Sequence, residues 1–133
     1  MNLKKLLQLN IKFGVELVKV ADALRHESEY HHRDGKSFIR HNILTDGARA
    51  CTKIVELETK EPGYYSGILS YVKESMLDTK FWLNVLKESN HNPDSKLVES
   101  IIALIDEMLK HVQPLLEKAN IETEGKLTQI WDW

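Results

Sequence analysis

The sequence has few residues that interrupt regular secondary structure and almost none that could cross-link the chain. Its 133 residues include three prolines, six glycines and a single cysteine, Cys51. One cysteine cannot close a disulfide within the chain, so a reducing compartment is the simpler expectation. Few prolines and glycines disfavour a fold of many short strands, because tight turns usually need one of them. Leucine, isoleucine, lysine and glutamate are common instead, which is the composition of helices.

Long apolar runs are also absent. No stretch approaches the roughly 20 apolar residues that a membrane-spanning helix requires. The first residues resemble the start of a secretory signal, but Gln8, Asn10, Lys12 and Glu16 interrupt the apolar segment and no small-residue cleavage site follows. These observations predict a cytoplasmic protein that makes no use of a membrane.

The sequence also lacks an excess of basic charge. The net charge is −2 and the calculated isoelectric point is about 6.3. Residues 1–60 carry 11 basic and 8 acidic side chains, whereas residues 61–133 carry 7 and 12. A typical nucleic-acid-binding domain is strongly basic. The charge therefore argues against nucleic acid as the main ligand.

Four long segments carry apolar residues at three- and four-residue spacing, the pattern of amphipathic helices. Clusters of turn-forming residues separate the segments, and four helices of matched length with short connections favour antiparallel neighbours around one core. We predict an all-α fold, a single-domain antiparallel up-down four-helix bundle over residues 1–119 followed by a C-terminal tail, 120–133. The predicted helices lie near residues 3–30, 36–60, 64–89 and 93–119.

Two residues inside the predicted helices, Gly47 and Pro114, are unfavourable in a helix, so their presence needs an explanation. Glycine costs a helix roughly 1 kcal/mol relative to alanine, and a close approach of a neighbouring helix would account for Gly47. Pro114 lies in the fourth segment and is expected to kink or shorten its last turns.

A cluster of histidines makes a metal site worth considering. Glu29 and His32 have the Glu-x-x-His spacing of dimetal carboxylate bundles, and His26 and His31 lie within a turn of them. Such bundles also need two further inward glutamates. The cluster falls at the end of a predicted helix, where solvated polar residues are expected. We predict no resident metal, and keep a metal-binding bundle as an alternative function.

Catalytic arrangements are not recognisable. The sequence has no glycine-rich phosphate loop and no Cys-x-x-Cys pair, and no Ser/His/Asp or Cys/His set can be assigned. Cys51 lies on the apolar stripe of the second predicted helix, where a thiol behaves as a small hydrophobic group. We predict a protein that is not an enzyme and carries no cofactor.

Basic residues collect on the second predicted helix and its lead-in. Between residues 33 and 53 five of them are opposed by two acidic residues, Asp34 and Asp46. Such a surface could contact an acidic protein or phosphates, or simply face solvent. Arg40 and Arg49 are nine residues apart, which puts them on nearly opposite sides of a helix. The candidate partner-binding residues are Arg33, Lys36, Arg40, Arg49 and Lys53.

Aromatic residues flank the inner stripe of the third helix and end the chain. Phe81 and Trp82 stand beside the apolar stripe, and Trp131 and Trp133 lie in the tail. A flanking aromatic side chain widens the core face or makes a subunit contact. We predict a homo-oligomer whose interface uses these four residues.

The third helix carries a family resemblance. Its run Lys80-Phe81-Trp82-Leu83 is similar to an Arg-Phe-Trp-Leu run in the accessory variability determinant (Avd) proteins of diversity-generating retroelements. Its run Lys73-x-Ser75-Met76-x-Asp78 is similar to a Gly-Ser-Leu-x-Glu pattern in the bacterial proteins encoded by intervening sequences of 23S rRNA genes. Arg49-Ala50 with Ile54 and Glu58 adds a weaker match on the second helix.

The resemblance implies a bacterial, non-enzymatic four-helix bundle that assembles into rings, with pentamers the known arrangement. It also implies a protein partner and nucleic acid, as in a retroelement reverse transcriptase complex. The sequence thus predicts an oligomeric scaffold or adaptor. An adaptor for an unrelated protein encoded by a neighbouring gene is a further alternative.

Overall fold

The structure, a computed structural model, describes residues 2–25 and 34–123. Its described residues form four helices with no strand among them, which confirms the predicted all-α four-helix bundle. One turn of 3₁₀ helix, Pro62–Tyr64, precedes the third helix. The helices are α1 (Asn2–Ala23), α2 (Gly35–Glu56), α3 (Tyr65–Glu88) and α4 (Ser95–Thr123).

Each helix packs against two others. Both α1 and α3 pack against α2 and α4, so α1 and α3 stand at opposite corners of the bundle. The apolar stripes that define the helices in the sequence face the centre. Phe13, Ile43, Met76 and Ile105, one from each helix, are fully buried.

Polar pairs along the seam between α3 and α4 recur every seven residues. Lys80 pairs with Asp106 at 2.6 Å, and three further pairs continue this spacing in both directions. One helix contributes residues in ascending order and the other in descending order, so α3 and α4 are antiparallel. Seven-residue spacing is typical of helices that wrap around each other. The other pairs are Ser66–Asn120, Lys73–Gln113 and Lys87–Glu99.

Helix α1 ends at Ala23, earlier than the predicted residue 30. The Arg25 N–H bonds to the Asp22 carbonyl, not to that of Ala21. The Ala21 carbonyl accepts a hydrogen bond from Arg40 Nε at 3.0 Å instead. A cation at a helix C-terminus stabilises the unpaired carbonyls there. The end of α1 is therefore set by a side chain of α2.

Unlike the end of α1, both ends of α2 are explained by hydrogen bonds between residues close in sequence. Asp34 caps its start by accepting the Ser37 N–H at 2.9 Å, as an N-cap residue does. Its last turns tighten, because the N–H groups from Leu57 to Thr59 bond to carbonyls three residues back. This places the end at Glu56, before the predicted residue 60. The buried Tyr65 hydroxyl donates to the Leu57 carbonyl at 2.7 Å and satisfies that group.

Helix α4 starts later and runs further than predicted. Asp94 caps it by accepting the Leu97 N–H at 3.1 Å, so the helix begins at Ser95 instead of residue 93. It continues through Pro114 to Thr123, so this proline does not shorten it. Pro114 is exposed, and so is Lys110, whose carbonyl loses its helical partner. Water can solvate that carbonyl, which explains the tolerance.

At Gly47 the side chain of Leu17 from α1 packs directly against the backbone of α2. A Cβ at this position would stand 2.8 Å from Leu17 Cδ1. The predicted close approach of a neighbouring helix is confirmed, and α1 supplies it. None of the helices that the structure describes is long and apolar enough to cross a membrane.

Candidate binding surfaces

One face of α1 exposes large apolar side chains to solvent. Ile11, Val15 and Val18 recur at four- and three-residue spacing on the side opposite the core, and between 51% and 74% of each is exposed. We call these three residues the α1 stripe. Gly14 adjoins it, and no described atom lies within 4 Å of the position that a Cβ would occupy there. This stripe was not among the predicted surfaces, although its spacing, offset from the core stripe by half a turn, is visible in the sequence.

A second exposed apolar surface joins α2 and α3. The Trp82 ring lies edge-to-face between Phe38 and Phe81, with ring centres 5.3 Å and 5.1 Å away. We call these three residues the aromatic cluster. Trp82 is half-buried, whereas Phe38 and Phe81 are 57% and 58% exposed. Leu77, one turn before Phe81, is also exposed and extends the surface.

The structure describes two of the four predicted interface residues. Phe81 and Trp82 are adjacent in the aromatic cluster, and Phe38 joins them from another helix. Phe38 was not among the predicted interface residues, because Trp82, its partner, is more than forty positions away in the sequence. Trp131 and Trp133 lie outside the described residues.

The basic residues of α2 point in different directions. Arg40 turns toward α1, where it caps that helix. Arg49 and Lys53 lie on the side of α3 and pair with acidic residues of their own helix, Asp46 at 3.8 Å and Glu56 at 2.9 Å. These three side chains therefore do not form one surface.

The remaining two basic candidates add little to such a surface. Lys36 is half-buried in the first turn of α2. Arg33 lies outside the described residues.

A groove of about 350 Å³ opens between the end of α2 and the start of α3. We call it the tyrosine groove. Tyr64 and Tyr71 are both exposed on its α3 side. Lys53 crosses from α2 and places Nζ 5.3 Å from the centre of the Tyr71 ring, a cation–π contact. The groove is lined by Lys53, Glu56, Lys60, Tyr64, Gly67, Ile68 and Tyr71.

Three titratable groups in the bundle have raised pKa values, and burial is the largest cause for each of them: Asp46, Cys51 and Tyr65. Burial raises the pKa of the Cys51 thiol to about 11, so the thiol is protonated at neutral pH and is a poor nucleophile. Burial, and then repulsion from Asp78, raises the pKa of Asp46, while Arg49 and His41 oppose the rise. None of the three groups lines the tyrosine groove.

Metal ligands are not grouped in the described part of the chain. No three histidine, cysteine, aspartate or glutamate side chains in residues 2–25 and 34–123 are placed to hold a metal ion. The predicted cluster of His26, Glu29, His31 and His32 lies outside the described residues.

No protein-family model matches the chain, and no curated protein or solved structure is significantly similar to it.

Proposed function

We propose that this protein is a non-enzymatic scaffold or adaptor, in which several copies assemble through the α1 stripe and the aromatic cluster and together bind a protein partner. The observation that supports this most is the exposure of two separate apolar surfaces. Each large apolar side chain removed from water contributes about 1.5–3 kcal/mol. Grouped exposed apolar side chains in a small protein usually mark interaction sites.

The positions of the two surfaces favour a head-to-tail contact. They differ in composition and stand at opposite corners, so the stripe of one copy can pack on the cluster of the next. A contact between unlike surfaces generates a ring when the rotation between neighbours closes. Five copies is the number that the resemblance to Avd-like proteins implies.

The shapes of the two surfaces also suit each other. The open space at Gly14 lets a partner approach the α1 backbone closely, because no side chain fills it. Phe38 and Phe81 project from the other surface as exposed rings. A ring of one copy can therefore lie beside Gly14 of the next, between the apolar side chains of the stripe.

Charge favours a protein over a nucleic acid as the partner of the assembly. The net charge is −2, and Arg49 and Lys53 are each opposed by an acidic residue of α2. Affinity for nucleic acid comes mainly from many unopposed cations. A cytoplasmic location belongs to this proposal, on the basis of the single cysteine.

Multi-angle light scattering of the full chain tests the assembly. The wild type is expected to have the mass of several subunits at micromolar concentration. Val15→Glu and Phe81→Glu each place a charge in one surface and are expected to reduce the mass to that of one subunit. Val55→Glu is the matched control, because Val55 is as exposed as Val15 and belongs to neither surface. A wild type that is monomeric would contradict the proposal.

Mixing the two variants distinguishes unlike from like contacts. The Val15→Glu chain keeps its aromatic cluster and the Phe81→Glu chain keeps its stripe, so the pair can form one contact and no more. The mixture is expected to give a dimer with one copy of each variant. Contacts between like surfaces would instead leave one of the variants self-associated when alone.

A further inference from the structure

The tyrosine groove has the size and lining of a small recognition site. Its volume of about 350 Å³ falls in the range of sites that hold a small ligand or a few side chains. Tyr64, Gly67 and Tyr71 lie at three- and four-residue spacing and so share one face at the start of α3. Ile68 contributes a mostly buried apolar wall.

Gly67 is a glycine that the fold does not require. It is exposed inside α3, and no described atom lies within 4 Å of the position of a Cβ. Alanine would fit there and would favour the helix by about 1 kcal/mol. Without a side chain, the floor of the groove stays open between the two tyrosine rings. This points to a ligand that approaches the backbone of α3 at that position.

The charges of the groove leave one cation unopposed. Lys53 is paired with Glu56 at 2.9 Å and also contacts the Tyr71 ring. Lys60 is exposed and forms no ion pair with any residue that the structure describes. The groove therefore offers a flat aromatic surface beside a single available ammonium group.

We propose that the tyrosine groove binds a short segment of a partner protein in which an aromatic residue adjoins an aspartate or glutamate. The aromatic ring packs over Gly67 and against Tyr64, and the carboxylate pairs with Lys60. This inference specifies the partner chemistry of the proposed adaptor function and rests on that function. It does not depend on self-assembly, because the groove is complete within one chain.

A single-stranded nucleic acid fits the same groove less well. It also supplies rings that stack on tyrosine, but it brings a phosphate with every base. The groove has one unopposed cation, so a chain of phosphates brings more negative charge than the groove can pair. One carboxylate beside one ring matches the available charge, so the groove favours a protein segment.

Titration of the full chain with a short labelled peptide tests the proposal. The peptide carries Trp-Asp at its centre, and a matched peptide carries Trp-Asn. Fluorescence anisotropy is expected to show binding of the Trp-Asp peptide and severalfold weaker binding of the Trp-Asn peptide. An oligothymidine is the third probe. Absent binding of the Trp-Asp peptide, or tighter binding of the oligothymidine in the groove, would overturn the proposal.

Variants of the groove separate binding from folding. Gly67→Leu fills the space between the rings and is expected to weaken binding of the Trp-Asp peptide about tenfold, a loss of about 1.4 kcal/mol. Lys60→Glu is expected to weaken binding severalfold, whereas Lys110→Glu, the same charge change on α4, leaves it unchanged. Unchanged affinity in Gly67→Leu would refute the site.

Two further measurements support the interpretation of these variants. Gly67→Ala is expected to raise thermal stability while it weakens binding, which a purely structural role for Gly67 does not predict. Light scattering on the same samples reports assembly separately. A monomeric chain that binds the Trp-Asp peptide would contradict the proposed ring assembly but support the tyrosine groove as a binding site.

Discussion

Asn10 of α1 donates a hydrogen bond from Nδ2 to the Cys51 carbonyl of α2, at 3.0 Å, within an otherwise apolar contact. Asn10 is only 7% exposed, and its Oδ1 is buried with no partner among the described residues. A buried polar atom without a hydrogen bond destabilises a fold by about 1–3 kcal/mol. A polar residue at such a contact also fixes how two helices align. We therefore expect Asn10 to lower stability while favouring one alignment of α1 against α2.

Replacing Asn10 with leucine is expected to stabilise the chain. The Asn10→Leu substitution would remove the unpaired oxygen and fill a similar volume, so the free energy of unfolding should rise by about 1 kcal/mol. Urea denaturation measures it. Asn10→Ala is the comparison, because it removes the same oxygen but leaves a cavity and should lower stability. An Asn10→Leu chain less stable than the wild type would show that the hydrogen bond outweighs the unpaired atom.

Removing the side chain of Arg40 is expected to destabilise the isolated chain. Arg40→Ala takes away the hydrogen bond to the Ala21 carbonyl at the end of α1, at a loss of about 1–2 kcal/mol. Arg49→Ala is the control, since Arg49 is exposed and its 3.8 Å ion pair should be worth less than about 0.5 kcal/mol. Equal effects of the two substitutions in urea denaturation would rule out the capping role.

Alanine substitutions at Gly47 and Gly67 are expected to have opposite signs. At Gly47 the new Cβ would meet Leu17, and the resulting shift should lower stability by about 1 kcal/mol despite the better helix propensity. At Gly67 only the propensity gain of up to about 1 kcal/mol remains. The Gly47 penalty should shrink in a Leu17→Ala background, and a double-mutant cycle measures that coupling. If the effects of Gly47→Ala and Leu17→Ala on stability were strictly additive, the new Cβ would not clash with Leu17.

The raised pKa of Asp46 predicts a pH dependence of stability. The folded chain holds the proton of Asp46 more tightly than the unfolded chain, so this group destabilises the fold as pH rises through and above the ordinary aspartate value of 3.8. Asp46→Asn is therefore expected to be more stable than the wild type at pH 7, and the difference should vanish in acid. Asp78→Asn removes the neighbouring charge and should reproduce part of the gain. A gain that is independent of pH would exclude this cause.

The architecture was predictable because apolar spacing is a local property of the chain. Ile68, Met76 and Leu83 are buried on the stripe that their spacing defines. The end of α1 was less predictable, because a side chain distant in sequence stabilises it. Nothing near Ala23 in the sequence shows that Arg40 will cap α1. The start of α4 was predicted at residue 93, two residues too early, although its Asp94 cap is a local interaction and aspartate is a favoured N-cap residue.

The candidate surfaces were predictable only in part. Phe81 and Trp82 stand out as aromatics beside a core stripe, but their neighbour Phe38 becomes visible only when α2 and α3 pack together. The tyrosine groove needs the same packing, because Lys60 and Tyr71 belong to different segments. A grouping of basic residues along the sequence was a weaker guide, since a helix turns Arg40 and Arg49 to different sides.

The repeated polar pairs between α3 and α4 specify less than their number suggests. If α4 slid by one heptad, Lys73 would face Asp106 and Lys80 would face Glu99, so two ion pairs would form again. The charges are thus degenerate in the register of the two helices. Apolar packing has to choose among the heptad positions. A matched insertion of one heptad in α3 and in α4 would lengthen this seam without replacing any existing pair.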